Sequence, residues 1–197
     1  MGADPRSRHR PAKAATRAPK DCLCRAGRRA RPSQVAREAF HGLYDERDLS
    51  DPSRYWTDES VDDFLTLGIR VRGKEDLARF FRKLFAAFPD WKVDIEQTVD
   101  DGDSRAVVQW TGHGTFSGGE RWRRLEPTGS EVTVRGIEIM SFDRAGKVEQ
   151  NTVYYDGEAF ARQIGMLPRE GSMTERALLA TFNAVTRIKR RLHKRRV

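Results

Sequence analysis

No part of this chain limits its possible folds more than Arg105 to Pro168, where three strand patterns and a helix follow one another closely. RAVVQWTGHGTF is an apolar-rich strand, and SGGERWRRLEPTGS is the loop after it. EVTVRGIEIMSF is a second strand, DRAGK a turn, and KVEQNTVYYD a third strand that runs directly into the helix GEAFARQIGMLP. The third strand ends in one carboxylate, Asp156, beside two tyrosines. A carboxylate at the rim of an apolar, aromatic sheet is the most chemically suggestive feature of the sequence.

The rest of the chain supplies what such a sheet needs to pack against. From Gly73, the residues Leu77, Phe80, Phe81, Leu84, Phe85 and Phe88 recur at helical spacing until Pro89 stops the pattern. This stripe is the core face of a helix laid on the sheet. Trp91 to Val99 reads as a further strand, with DDGD as the turn after it. Upstream, Ser33 is a candidate N-cap for a helix bearing Val35, Ala36, Ala39, Phe40 and Leu43. DERDLSDPSRYWTDES reads as a loop whose aromatic pair, Tyr55 and Trp56, either anchors packing or lines a pocket. In the second strand, Val132 and Val134 lie on one parity and Ile137 and Ile139 on the other, which predicts a β-bulge at Gly136. A bent sheet with a helix across it encloses a cavity. The expected fold is therefore one α+β domain over residues 33–168, a cone-shaped, curved mixed or antiparallel sheet wrapped around helices.

The net charge of +8 suggests nucleic-acid binding until it is divided along the chain. Residues 1–32 carry ten Lys/Arg against two Asp/Glu, and residues 169–197 carry nine against two. Residues 33–168 carry eighteen against twenty-five, so the globular part is acidic and specific nucleic-acid binding by it is not expected. The leader, rich in Arg, Ala and Pro, is predicted to be disordered. Its two cysteines, Cys22 and Cys24, fit neither a zinc pair nor a disulfide framework, and the four histidines are scattered. No metal site is expected. No apolar run approaches the ~20 residues of a membrane span, and the leader lacks a secretory signal's apolar stretch, so the expectation is cytoplasmic. Residues 169–197 form an amphipathic helix with Leu178, Leu179, Phe182, Val185, Ile188 and Leu192 on one side and a basic end. It packs on its own domain or on a dimer mate, or lies on a membrane surface.

Several pieces in order resemble one family: FRKLFAAFPDW, W-x-G-x-G-T, the E-P-T-G turn, G-I-E-I with S-F-D-R-A-G-K-V, and Y-Y-D with F-A-R-Q-I-G-M-L-P. From Gly73 to Pro168 the chain resembles the SnoaL-like polyketide cyclases, α+β cones of the nuclear-transport-factor-2-like superfamily, with ester cyclases among them. The resemblance implies an apolar pocket and cofactor-free, intramolecular aldol chemistry on a polyketide ester. It also implies an acid/base aspartate at the end of the last strand, which maps onto Asp156. Many relatives have a histidine where this chain has Phe116, and the nearby imidazole here is His113.

Aldol closure removes a proton next to a carbonyl and stabilises the enolate that results. An unperturbed carboxyl, with a pKa near ~4, does this poorly at neutral pH, whereas a desolvated one is better matched. The candidate catalytic residues are Asp156 and His113; the candidate substrate-lining residues are Tyr154, Trp110, Glu138, Phe116, Tyr55 and Trp56. If Asp156 faces the pocket, Tyr154, Thr152 and Gln150 share its face, while Trp110 and His113 lie on opposite faces of their strand. Each has a structural reading too: Asp156 as a helix N-cap, His113 as a hydrogen-bonded strand histidine, Glu138 as a paired or rim carboxylate. The Trp122 loop, with Arg121, Arg123 and Arg124, is most simply a solvated flap; the alternatives are a cover over the pocket mouth or a site that recruits an anion. The expected partners are a small apolar carbonyl compound and a second copy of the chain. A non-catalytic binding or dimerisation module is the competing expectation.

Overall fold

The computed structural model describes residues 30–194, so nearly all of the basic leader lies outside the described residues. The helices are α1 (Pro32–Phe40), α2 (Lys74–Ala87), α3 (Gly157–Gln163) and α4 (Met173–Lys194). The strands are β1 (Trp56–Phe64), β2 (Ile69–Arg72), β3 (Lys92–Asp101), β4 (Arg105–Thr115), β5 (Glu131–Phe142) and β6 (Val148–Tyr155). They form one six-stranded sheet in the order β2-β1-β6-β5-β4-β3. β1 runs parallel to β6 and every other pairing is antiparallel, so the sheet is mixed. The α+β class and the meander from Arg105 onward are as the sequence pattern requires.

One face of this sheet is covered and the other is open. Along β5, Val132, Val134, Glu138, Met140 and Phe142 are buried, while Thr133, Arg135, Ile137 and Ile139 point outward. The buried side packs into a single cluster with Ala36 and Phe40 of α1 and with Leu77, Ala78 and Phe81 of α2. Aromatic rings carry much of this packing: Trp56 stacks on Phe81 at 5.5 Å, and Phe64 lies 4.3 Å from Phe80. Burial of such rings is the main stabilising term for a domain of this size.

Four expectations are corrected. The β5–β4 register is continuous from Glu131 to Ser141, so Gly136 is not a bulge. Its missing side chain instead lets the Trp110 indole lie against the strand, because a Cβ there would overlap that ring. Ile137 and Ile139 are simply outward residues that happen to be apolar. Ser33 does not cap α1: Arg31 is the N-cap, Pro32 opens the helix, and the Ser33 N–H is taken by Asp100 Oδ1 at 2.6 Å. The stretch read as a loop up to Ser60 contains the start of β1, whose inward positions include Ser60 and Asp62 and so break the apolar alternation. Finally, α4 does not bury its stripe against the domain; its large apolar side chains are exposed.

Candidate functional site

The covered face of the sheet and helix α2 enclose a cavity of about 70 Å³. Its wall is nearly all aromatic and aliphatic: Phe64, Phe80, Phe81, Leu84, Phe88, Trp91, Trp110, Trp122 and Phe160 are among the lining residues. Three of its lining side chains can ionise: Tyr44, Tyr155 and Glu138. A second cavity of about 20 Å³ shares Tyr44, Phe81 and Glu138 with the first and adds Asp62 and Asn151. Glu138 thus stands between the two. The larger space holds a few water-sized groups, well short of the ~300 Å³ at which ordinary ligand pockets begin. A larger guest requires a wall to move, and the Trp122 loop is one such wall.

The polar centre is built by three neighbouring strands. β5 aims Glu138 inward, β6 aims Asn151 and β1 aims Asp62, through the pairings Glu138 with Val153 and Asp62 with Asn151. Asn151 Nδ2 donates to Glu138 Oε2 at 2.7 Å and also reaches Asp62 Oδ2 at 3.4 Å. One amide therefore bridges two buried carboxyl groups. Desolvation pushes the Glu138 carboxyl up to about 7, opposed by the Asn151 amide and the nearby Trp110 indole. That indole N–H lies close enough to favour the charge but makes no hydrogen bond of acceptable geometry. Burial first, and the charge on Glu138 second, hold Asp62 well above the usual carboxylate range. Burial also raises both phenols, Tyr155 to about 12, so they stay protonated donors. Asp62 Oδ1, Asn151 Oδ1 and Trp110 Nε1 are buried without partners. Such orphaned groups are costly, and three of them gather around one carboxyl pair.

The residues singled out from the sequence fall into two groups. Trp110 and Glu138 line the main cavity, and Tyr55 and Trp56 line the smaller one. Phe116 is fully buried behind the wall, stacked on Phe88 at 5.0 Å. Asp156, Tyr154 and His113 lie outside the cavity lining. Asp156 is exposed and accepts the Ala159 N–H at 2.9 Å as N-cap of α3. Tyr154 is 45 % exposed, on the outer face of the sheet. His113 sits on that face too, 3.6 Å from Asp94, opposite in direction to Trp110 as their parity demands. β6 thus presents Asn151, Val153 and Tyr155 to the interior rather than Gln150, Thr152 and Tyr154. The reason is that Asp156 leaves the strand to start a helix, so the strand's end does not set the parity of its middle. Asp62, Asn151, Tyr44 and Tyr155 escaped the sequence reading. Alternation back from Tyr155 would have reached Asn151; Asp62 gave no such signal. Among the described residues no three His, Cys, Asp or Glu side chains gather as metal ligands do.

The sequence profile of the SnoaL-like polyketide cyclases matches residues 34–164, more than half of the chain. The chain belongs to the SnoaL-like polyketide cyclase family. Among solved structures, a candidate SnoaL-like polyketide cyclase from Shewanella denitrificans OS-217 is 17 % identical, with a TM-score of 0.60 over 69 % of this chain and 98 % of that one. A second, from Jannaschia sp. CCS1, is 21 % identical, with a TM-score of 0.59 over 73 % and 100 %. AclR of Streptomyces galilaeus, described as a candidate hydroxylase, is 19 % identical, with a TM-score of 0.59 over 82 % and 96 %. A search of curated proteins gives no match. These likenesses show that the SnoaL-like chain has the nuclear-transport-factor-2-like fold. That a neighbour carries the name of another activity shows why the reaction must be argued from this site.

Proposed function

We propose that this SnoaL-like protein performs cofactor-free acid/base chemistry, an aldol cyclisation or an isomerisation, on a small, largely apolar carbonyl compound. One observation carries the reading: a carboxyl group at the inner end of an aromatic cavity, desolvated and held by an amide, with its pKa raised to about 7. Such a group is half ionised near neutral pH, where a general base is most effective. Its carboxylate takes the proton next to the substrate carbonyl. The Tyr155 or Tyr44 phenol, still protonated, donates a hydrogen bond to the enolate oxygen. The protonated Glu138 then returns the proton to the product. Asn151 positions Glu138 and is not itself a proton carrier.

Replacing Glu138 by Gln tests this, since the amide keeps the size and can still accept from Asn151. Turnover should fall by ~10²–10⁴ with the fold intact. An unchanged rate would remove Glu138 from the chemistry.

The small cavity supports a second reading, a non-catalytic ligand-binding module, because about 70 Å³ is little room for a reacting substrate. Titrating small ketones against the fluorescence of Trp110 and Trp122 separates the two. Binding without turnover at any pH favours the module.

A further inference from the structure

The family match ends at residue 164, and helix α4 lies beyond it with no role in the cavity. Leu178, Phe182, Val185, Ile188 and Leu192 follow one another at i+4, i+3, i+3 and i+4, forming one continuous stripe along the helix. Their exposures run from 46 % for Val185 to 66 % for Phe182. Arg176, Asn183, Arg187 and Arg190 share a second stripe, which the helical period sets opposite the first. Lys189 and Arg191 flank the apolar stripe, one on each side, where their stems can lie along apolar surface with the charges in water. Over residues 173–194 there are six Lys/Arg and a single acid, Glu175. That acid is already used: Arg162 of α3 holds it at 2.8 Å, and the Gly171 N–H donates to it at 2.6 Å. The start of the helix is therefore tethered to the domain, and its apolar length is left free.

We propose that α4 is a membrane-surface helix that lies flat in the headgroup region of an anionic bilayer. The 22 residues give a contact about 33 Å long. Charge selects this occupant. A stripe of large apolar residues with cations on its flanks and back suits a negatively charged lipid surface, which attracts each basic residue. Two such helices from two copies would instead bring like charges together along the same length. No helix among the described residues is apolar enough to cross a membrane, so the contact is one of lying on the surface.

Flotation of the purified full chain with vesicles tests the proposal, comparing phosphatidylcholine alone with an equimolar mixture of phosphatidylcholine and phosphatidylglycerol. The chain should float with the mixed vesicles and not with the neutral ones. Phe182→Asp on the exposed stripe should weaken binding at least about tenfold, with the melting temperature unchanged. Lys189→Glu with Arg190→Glu should weaken it further, and added salt should do the same. Three results would each overturn the proposal. One is no flotation with mixed vesicles. Another is equal binding by the Phe182→Asp chain, which would assign the attraction to the basic leader. The third is concentration-dependent self-association in solution that Phe182→Asp abolishes, which would assign the stripe to a second copy.

Discussion

The middle of strand β6 and the residue that follows its end meet carboxyl groups in opposite surroundings. Near its middle, Asn151 joins the buried Glu138 and Asp62; at its end, Asp156 stands in solvent and caps a helix. The Asp156 carboxylate accepts a backbone N–H and stands in solvent, where it caps α3. The inner pair has lost its water, has one amide between two acids, and retains unpartnered oxygens. Desolvation, rather than position at a strand end, is what makes a carboxyl group a neutral-pH base. Within five residues, from Asn151 to Asp156, the chain passes from a buried carboxyl pair to a wetted carboxylate.

The sharpest way to break this contrast is to neutralise each side in turn. Glu138→Gln should cost ~10²–10⁴ in turnover, whereas Asp156→Asn should leave turnover within about threefold, because Asn caps almost as well. If the two effects are reversed, the rim is the working end. In the wild type, kcat/KM should rise with pH through about 7, where the Glu138 carboxyl ionises, and this limb should vanish in Glu138→Gln.

Stability offers a second contrast of the same sign. The folded pKa of Glu138 is raised from 4.5 to about 7, so the native chain holds a proton that the unfolded chain has released. Stability is thus greatest below the unfolded value and is lost as pH climbs through the folded one. Glu138 alone should contribute a loss of about 3 kcal/mol between pH 4.5 and 7, and Glu138→Gln should remove that share, leaving the share of Asp62, whose carboxyl burial also raises. Urea titrations at pH 5 and pH 8 would measure this, and a wild-type chain equally stable at both would contradict the burial argument.

Smaller effects refine the picture. Gly136→Ala should push the Trp110 ring from its place beside Glu138 and cost about 1–3 kcal/mol through overpacking. Asp156→Ala should cost only about 1 kcal/mol, the usual loss of a helix cap, read by thermal melting. A larger cost at Asp156 than at Gly136 would mean that the rim, and not the inner wall, is the more tightly built region.

What the sequence by itself determined was whatever depends on local period. The α2 stripe from Leu77 to Phe88, the strands of the Arg105–Tyr155 meander and the acidic body between basic ends are all written in neighbouring residues, because helix and strand periods are local. Local pattern also named Glu138 and Trp110 as lining candidates. It could not bring Asp62 to Asn151, for these meet only through the parallel pairing of β1 with β6, nearly ninety residues apart in the chain. Nor could it tell which face of β6 turns inward. The parity there is fixed by neighbours on both sides, and a slip of one residue exchanges Tyr154 for Tyr155. Tertiary structure decided the site because desolvation depends on every element that excludes water from a group, and no single segment of the chain carries that information.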